Sequence, residues 1–415
     1  MKKIVILLTS ILLLSSCSPL KRINDYLNDE RVITHYKSNY FFGKENEKFQ
    51  LNILQTIFEQ GIFYNYVMHP VKVESLYDDF ILYTYNEAGF KEDLNYFVNG
   101  SFAAKVTFPS SNCELWCNLL NNKEKTKSDD LFLGCIYVEN NEIFKINSIQ
   151  DFYSIDKENS NYKTFILNNN LDFLNSDFNF GQIDRDNITF LNPNNYKITN
   201  LNFDYLINKE LNDQLYNAGD KYMVSLFKRG SLSYFDNLIF ENVTYDFNTT
   251  DKEVSYFSLF NSQYNSVFKN IKITNMNVVS DTTCIGGGAL VYSSFNNVFI
   301  NNQIDIKVIQ SSELVDNKIN YAIGGIASRD ARITLNEFKT HKMDRVYRRF
   351  NVDNNIINVD IKAINYAGGL FGVVLEGTDS YDYYSNNHVN GNIESNNDNG
   401  ELLFGDIISS NNYKI

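Results

Sequence analysis

Apolar and polar residues alternate in short runs along the second half of the chain, and the runs recur. Each copy consists of a few apolar residues, a small polar turn, and a stretch of Ile, Val or Phe bracketed by Asn. Alternation with a period of two residues is typical of a strand that buries one face. The copies begin at Phe235, Val267, Phe295, Asn354 and, in a weaker form, Asn386.

The spacing of these copies predicts a stacked array. Most neighbouring copies start roughly 30 residues apart, within the range of about 20–50 residues that marks repeat architectures. One such strand cannot bury its apolar face alone, but turns stacked about 4.8 Å apart enclose a continuous core. Asn suits the corners because it tolerates left-handed backbone angles. We therefore predict that residues 141–415 form a right-handed parallel β-helix (solenoid), in a mainly β protein.

The chain before the repeats has a different pattern. Three runs, Tyr66–Val73, Phe80–Tyr85 and Phe102–Phe108, are rich in β-branched and aromatic residues and predict strands. Apolar residues near helical spacing in Phe49–Phe63 predict one amphipathic helix. We therefore expect residues 44–140 to form a small β-rich domain.

The first residues have the pattern of an export signal. Two lysines precede the apolar run Ile4–Leu14, and two serines lead to Cys17. The run is roughly half of the about 20 apolar residues that a membrane-spanning helix needs, so it fits a signal peptide over residues 1–16. No other segment of the sequence is long and apolar enough to span a bilayer.

The segment Leu14-Ser15-Ser16-Cys17 resembles the lipobox of bacterial lipoproteins. The resemblance implies cleavage before Cys17 and attachment of lipid to its thiol, with fatty acids such as palmitate as membrane anchor. Each buried methylene contributes about 0.8 kcal/mol, so two or three acyl chains hold firmly. The chain is then expected in the cell envelope, on the outer membrane or the cell surface, with residues 17–43 as a tether. The alternative is an ordinary signal peptide with an incidental cysteine.

The charge and the cysteines narrow the classes of partner and cofactor. The formal net charge is −13, which argues against nucleic acid, since phosphate backbones are bound through Lys and Arg. Disulfides persist after export, so the remaining cysteines are candidates for disulfide bonds or thiols. A zinc site would need a fourth ligand, and no CxxC pair is present, so we predict no metal and no cofactor. These cysteines are Cys113, Cys117, Cys135 and Cys284.

Three segments together resemble the GLUG-motif β-helix family of bacterial surface proteins. They are Ile146–Phe173, Gly181–Phe203 and Gly369-Leu370-Phe371-Gly372, with weaker echoes at Gly287–Leu290 and Gly324–Ala327. The resemblance implies a capping segment with a short helix, a first rung, and then further rungs. In this sequence Asn170 replaces the usual Asp of the first segment, and Asn195 replaces the usual Gly of the second.

Glycine suits a place where the coil turns tightly and one rung lies close to the next. The predicted repeat-turn glycines are Gly287, Gly325, Gly369 and Gly372.

Catalytic patterns are weak. The zinc helix of GLUG-bearing metalloproteases needs H-E-x-x-H, and the four histidines, His35, His69, His341 and His388, do not form it. Asp184 and Asp186 are the acid pair that a glycoside hydrolase would use, although solvated turn residues explain them better. The basic cluster Arg345, Arg348 and Arg349 lies in an insertion, which is either a plain solvated loop or a polyanion site.

These observations favour a non-enzymatic, lipid-anchored surface protein whose β-helix is a display or binding scaffold for adhesion or for contact with a host or surface. Its expected partners are the membrane, through the lipid, and a host or surface protein or a glycan. The alternative is a β-helix polysaccharide lyase or hydrolase, which would need a groove with two acids about 5–10 Å apart. A third hypothesis places the function in residues 44–140, with the β-helix as a spacer.

Overall fold

The computed structural model describes most of the repeat region and part of the chain before it. The described residues are 40–52, 81–85, 91–93, 96–99, 103–118, 131–156, 161–174, 183–203, 223–248, 255–281, 285–311, 321–331, 352–375, 384–395 and 407–408.

The first eight strands form two small sheets. The N-terminal sheet contains β1 (Tyr40–Lys44), β3 (Ile81–Tyr85), β4 (Lys91–Asp93), β7 (Cys113–Asn118) and β8 (Leu131–Glu139), in the order β1-β8-β7-β3-β4. An antiparallel sheet contains β2 (Lys48–Asn52), β5 (Tyr96–Asn99) and β6 (Ala103–Thr107), in the order β2-β6-β5. The strands predicted at Phe80–Tyr85 and Phe102–Phe108 are confirmed as β3 and β6.

Two of the expectations for this region change. Residues Phe49–Asn52 lie in β2, paired with β6, so the helix predicted from Phe49 is wrong at its start. Cross-strand hydrogen bonds with β6 outweigh the local helical spacing there. β1 begins at Tyr40, inside the segment predicted as a tether, and pairs in parallel with β8. The strand predicted at Tyr66–Val73 lies outside the described residues.

Beyond residue 140 the chain coils through four parallel sheets, named here S1 to S4 in the order in which each turn visits them. S1 contains β9 (Ile143–Ile146), β10 (Thr164–Leu167), β12 (Thr189–Leu191), β16 (Tyr234–Asp236), β20 (Val267–Lys269), β24 (Val298–Ile300), β28 (Val352–Asp353) and β32 (Tyr384–Ser385). S2 contains β11 (Leu171–Asp172), β13 (Lys197–Asn202), β17 (Ile239–Asp246), β21 (Lys272–Ser280), β25 (Gln303–Gln310), β29 (Ile356–Ala363) and β33 (His388–Ser395).

S3 and S4 complete each turn. S3 contains β14 (Met223–Val224), β18 (Ser255–Phe257), β22 (Ile285–Gly288), β26 (Ile323–Gly324) and β30 (Ala367–Gly368). S4 contains β15 (Gly230–Ser231), β19 (Gln263–Tyr264), β23 (Val291–Phe295), β27 (Ala327–Ala331), β31 (Phe371–Leu375) and β34 (Ile407–Ile408). Each strand pairs in parallel with the same strand of the next turn, so the predicted parallel β-helix is confirmed.

The core lies inside the coil and is built from columns of apolar side chains, one column of which carries Phe in several successive turns. Phe235, Phe268 and Phe299 stack with ring centroids 5.2 and 5.3 Å apart, and all three are buried. Offset stacking of this kind adds about 0.5–1.5 kcal/mol per pair beyond the area buried. In these three turns the stacked Phe rings therefore fix the register from one turn to the next, and Val352 takes the same position in the turn that follows.

Asn residues make the corners, as the sequence predicts. Every non-glycine residue with positive φ in the described part is Asn, except Leu232. Asn195, which stands where the resembling family has Gly, has φ 58°. At the corner between S1 and S2, Asn302 and Asn355 point inward and are fully buried. Asn302 Nδ2 donates to Asn355 Oδ1 at 2.9 Å.

A short helix, α1 (Ile149–Tyr153), covers the first turn of the coil. Ser148 caps it, and Ser148 and Asp151 form a reciprocal capping box. Phe152 is fully buried against Phe173 and Phe190 at centroid distances of 6.0 and 6.2 Å. The short helix implied by the resemblance is therefore present, and it shields the apolar end of the coil from water. Among the described helices, none has the length and apolarity needed to cross a bilayer.

Candidate functional site

The outer face of S2 is a polar surface built from strands that are eight or nine residues long in the later turns. Its strands alternate buried and exposed residues; β29, with sequence IINVDIKA, has an exposed residue at every odd position. The inward residues belong to the core, and most of the outward ones are polar or charged. The apolar exceptions are the half-buried Ile239 and Val279 and the exposed Ile309 and Ile356. Because each strand stacks on the equivalent strand, outward residues form straight columns along the coil.

One column of S2 is a ladder of side-chain hydrogen bonds. Asn200 donates to Asp172 at 2.7 Å, Asn242 donates to Asn200 at 3.1 Å, and Asn275 donates to Asn242 at 2.9 Å. The hydrogen bond from Asn200 lowers the pKa of Asp172 below its usual value. This run of the ladder therefore ends on a carboxylate that stays ionised at neutral pH.

A second run of the ladder follows on the next turns. Asn358 Nδ2 donates to Asp305 Oδ1, and Asn390 donates to Asn358 Oδ1 at 3.2 Å. This run also ends on a carboxylate, Asp305. Every bond points in the same direction along the coil, so the amides polarise one another toward the carboxylate.

A groove lies where the two runs meet. β21 contains one residue more than β25 between Ile273 and Met276, and the register shifts there. A bulge of this kind bends its strand and disturbs the flat face. The resulting groove has a volume of about 390 Å³. We call it the S2 groove and define it by Asn275, Asp305, Lys307, Asn358, Asp360 and Asn390.

The charges of the S2 groove are partly paired. Lys307 Nζ lies 2.8 Å from Asp360 Oδ2, and both side chains are about half exposed. Asp360 lies on the turn after Asp305 and two residues further along the strand. At ordinary strand spacings their Cα atoms are therefore about 8 Å apart. Within the described residues no three His, Cys, Asp or Glu side chains converge as a metal site would require.

The flank of S1 is occupied, in contrast to the face of S2. Tyr234 points outward from β16, yet it is fully buried, because Phe42 of β1 stacks on it at 4.3 Å. Tyr40 and Tyr137 of the N-terminal sheet pack on the same ring at 6.1 and 5.6 Å. The N-terminal sheet therefore covers part of the β-helix and is not a separate body on a linker.

Polar contacts fix this docking. Asn112 Nδ2 donates to Leu232 O at 2.9 Å, and Asn112 Oδ1 accepts from Val138 N at 2.7 Å. Asn265 Nδ2 donates to Glu114 at 3.0 Å. Asn112 is buried, so its amide would be costly to leave unpaired, and it specifies one docked position.

The predicted repeat-turn glycines lie together at the junction of S3 and S4. Gly287 is in β22 and Gly372 in β31, while Gly325 and Gly369 follow β26 and β30. A Cβ on Gly325 would lie 2.1 Å from Gly369 O, and one on Gly372 would lie 2.7 Å from Ile323 N. The backbones of successive turns are therefore too close here for a side chain.

Two of the four candidate cysteines have side chains that the structure describes. Cys113 in β7 and Cys135 in β8 are buried thiols that are not bonded to each other. Cys113 pairs with Ile136, so its side chain lies on the opposite face of the sheet from that of Cys135. A disulfide between these two is therefore excluded by geometry. Cys117 lies in β7, and Cys284 and Cys17 lie outside the described residues.

The remaining candidates do not converge. Asp184 lies 3.4 Å from Lys228 Nζ, and Asp186 sits beside Gly230, away from the S2 groove. His388 is exposed at the start of β33. The arginine cluster at 345–349 lies outside the described residues.

The sequence analysis missed the acids of the S2 groove, although a signal for them exists. Aligning the Asn-Asn corners at Asn301 and Asn354 places Asp305 beside Asn358 and Lys307 beside Asp360, as the strand pairing has them. No protein-family model matches the chain, and no curated protein is significantly similar to it. The GLUG resemblance and the lipobox resemblance thus stay predictions.

Proposed function

We propose that this chain is a lipid-anchored cell-envelope protein whose β-helix is a rigid, non-catalytic scaffold that binds a surface partner. The observation that carries the proposal is the outer face of S2. There, two runs of hydrogen-bonded Asn and Asp side chains hold polar groups in fixed positions along the coil. A partner meeting this face orders few side chains, which lowers the cost of binding.

The anchor part of the proposal rests on Leu14–Cys17 and the apolar run before it. It is tested in intact cells with the full chain and with Cys17→Ala. We expect labelled palmitate and membrane retention in the parent chain, and neither in the variant. External protease should then digest the parent chain on intact cells. Full protection from protease would contradict surface display.

A second function is favoured by one observation, the two carboxylates of the S2 groove. Strand spacings place the Cα atoms of Asp305 and Asp360 about 8 Å apart. This backbone spacing is compatible with the roughly 6.5–9.5 Å between the carboxyl groups of inverting glycoside hydrolases. Against it, Asp360 is 57% exposed and paired with Lys307, whereas a general acid works from a desolvated site. Release of reducing ends from polysaccharides by the parent chain, but not by Asp305→Asn, would establish the hydrolase and contradict the scaffold.

A further inference from the structure

We propose that the S2 groove binds an uncharged carbohydrate, so that the partner of the scaffold is a neutral glycan. The inference rests on the proposed function and names the ligand class of its binding face. The groove has a volume of about 390 Å³, in the range of small-ligand sites, which is about 300–1,000 Å³. It is long enough along the coil to touch four successive turns, those of β21, β25, β29 and β33.

The hydrogen-bonding capacity of the groove matches hydroxyl groups. Asn358 uses one N–H to donate to Asp305, and its Oδ1 accepts from Asn390. A side-chain amide has a second N–H, and a carboxylate accepts at about four positions. The groove therefore presents the second N–H of Asn358 as a donor and the remaining acceptor positions of Asp305, on two neighbouring turns. A sugar hydroxyl, which both donates and accepts, satisfies both.

The groove is preorganised for such a ligand. The ladder fixes Asp305, Asn358 and Asn390 before anything binds, so few rotamers remain to be ordered. Strand stacking repeats these polar groups about every 4.8 Å along the coil. An extended chain of pyranose units repeats its hydroxyl groups at a comparable spacing. The groove therefore suits a linear oligosaccharide that runs along the coil.

Charge selects against anionic glycans. The groove has two carboxylates and one ammonium group, and Lys307 is already paired with Asp360 at 2.8 Å. The whole chain has a formal net charge of −13. A uronate or sulfate group would therefore meet an uncompensated carboxylate in a negative field. A neutral sugar avoids this repulsion.

A peptide partner fits the groove less well. The apolar residues under it, Met276, Ile306 and Val359, are at most 4% exposed and offer no anchor pocket. None of the described residues that line it is aromatic, whereas protein interfaces are held by buried aromatic and Arg anchors. The backbones of β25 and β29 are paired on both sides, so a peptide cannot add a strand to S2 at these two positions.

The test uses the full lipoprotein in detergent with immobilised polysaccharides as probes. Galactomannan and β-glucan are the neutral probes, polygalacturonate the anionic probe, and chitosan the amino probe. We expect retention on a neutral probe, and Asn358→Ala should weaken it about tenfold or more, since hydrogen-bonded polar groups in a binding site discriminate on this scale. Thr244→Ala, on the same face three turns away from Asn358, is the matched control and should stay within about twofold.

The outcomes separate this inference from the proposed function. Retention on polygalacturonate or chitosan alone would overturn the inference, as would neutral binding that Asn358→Ala leaves unchanged. If no probe is retained while protease shaving still shows surface display, the carbohydrate inference fails and the scaffold stands. If a neutral probe is retained and Asn358→Ala abolishes that retention, the carbohydrate inference holds. If the chain is then fully protected from external protease on intact cells, the proposed surface function fails. Circular dichroism of each variant verifies that the β-helix is intact.

Discussion

The rings of Phe42 and Tyr234 stack nearly parallel, with centroids 4.3 Å apart and 6° between the planes. One ring belongs to the N-terminal sheet and the other to the outer flank of S1. Tyr234 points outward from its strand, and it is fully buried because the N-terminal sheet packs on it. The N-terminal sheet and the repeats therefore stabilise each other. A substitution on either side of the contact should lower the stability of both.

The first prediction concerns this pair. Tyr234→Ala should lower the free energy of unfolding by about 3–5 kcal/mol, as for other buried aromatic residues. Phe42→Ala should cost less, because Phe42 is 37% exposed. A double-mutant cycle should give a coupling of about 0.5–1.5 kcal/mol. Denaturant unfolding followed by the fluorescence of the single tryptophan, Trp116 in β7, measures it.

The control for this cycle is Tyr264→Ala, which removes a ring stacked on Phe295 of S4. It should show no coupling with Phe42→Ala, since Tyr264 lies outside the Phe42–Tyr234 contact. A coupling near zero for Phe42 and Tyr234 themselves would mean that the stacked rings do not contribute to docking.

Alkaline pH should loosen the docked sheet. Burial, and then the negative charge of Asp236, raise the pKa of Tyr40 to about 12, from about 10 in an unfolded chain. Burial also raises the pKa of Tyr137 and Tyr234. The fold favours the protonated phenols. The stabilisation linked to Tyr40 is therefore complete below pH about 10 and is lost as the pH rises through about 12, whereas that linked to Tyr137 and Tyr234 is lost at higher pH.

This loss is measured as a pH titration of Trp116 fluorescence, with tyrosinate absorbance recorded in parallel. Tyr40→Phe should make the profile shallower above pH about 10, because one titrating group is removed. An identical profile in Tyr40→Phe would show that Tyr40 is not among the groups that titrate with undocking.

Glycine at the S3–S4 junction should be irreplaceable in the later turns. A Cβ on Gly324 would lie 1.9 Å from Ala327 O, so Gly324→Ala should cost at least about 1–3 kcal/mol through overpacking. In an earlier turn Ser258 takes the equivalent place, and its Oγ donates to Phe260 O at 2.7 Å. Ser258→Ala should cost about 1 kcal/mol, the worth of that bond. Thermal unfolding compares the two, and equal effects would contradict the crowding argument.

The buried ladder at the S1–S2 corner should matter more than the exposed ladder on S2. Asn355 donates to Phe299 O at 3.0 Å and accepts from Asn302 N at 3.0 Å. Asn355→Ala leaves these buried groups unpaired and should cost about 2–4 kcal/mol, at about 1–3 kcal/mol for each group. Asn358→Ala, three residues further along in β29 and exposed, should cost under about 1 kcal/mol. Denaturant midpoints of the two variants test the difference.

The cysteines of the N-terminal sheet should resist alkylation in the folded chain. Cys113 and Cys135 are 4% and 1% exposed, and they face opposite sides of the sheet. We expect mass spectrometry to find both thiols modified by iodoacetamide only after denaturation. A Cys113–Cys135 disulfide in the folded protein would contradict the strand pairing, because a direct bond requires both side chains on one face.

By itself the sequence determined what depends on local chemistry. A period of two fixed the strands of the coil, and the tolerance of Asn for positive φ fixed the corners at residues such as Asn237 and Asn270. The capping box of Ser148 and Asp151 likewise lies within one turn of helix. The parallel β-helix followed from these repeats, because only stacking buries their apolar face.

The tertiary structure alone decided what depends on alignment between distant residues. The S2 groove needs Asp305 beside Asn358, 53 positions away, and only the Asn-Asn corners on either side of the long insertion indicate that register. The burial of Tyr234 depends on Phe42, which belongs to another sheet, so the outward position of Tyr234 in its own strand does not indicate that it is buried. Hydrogen bonds and packing across such separations are set by how turns of unequal length stack, and no local pattern encodes them.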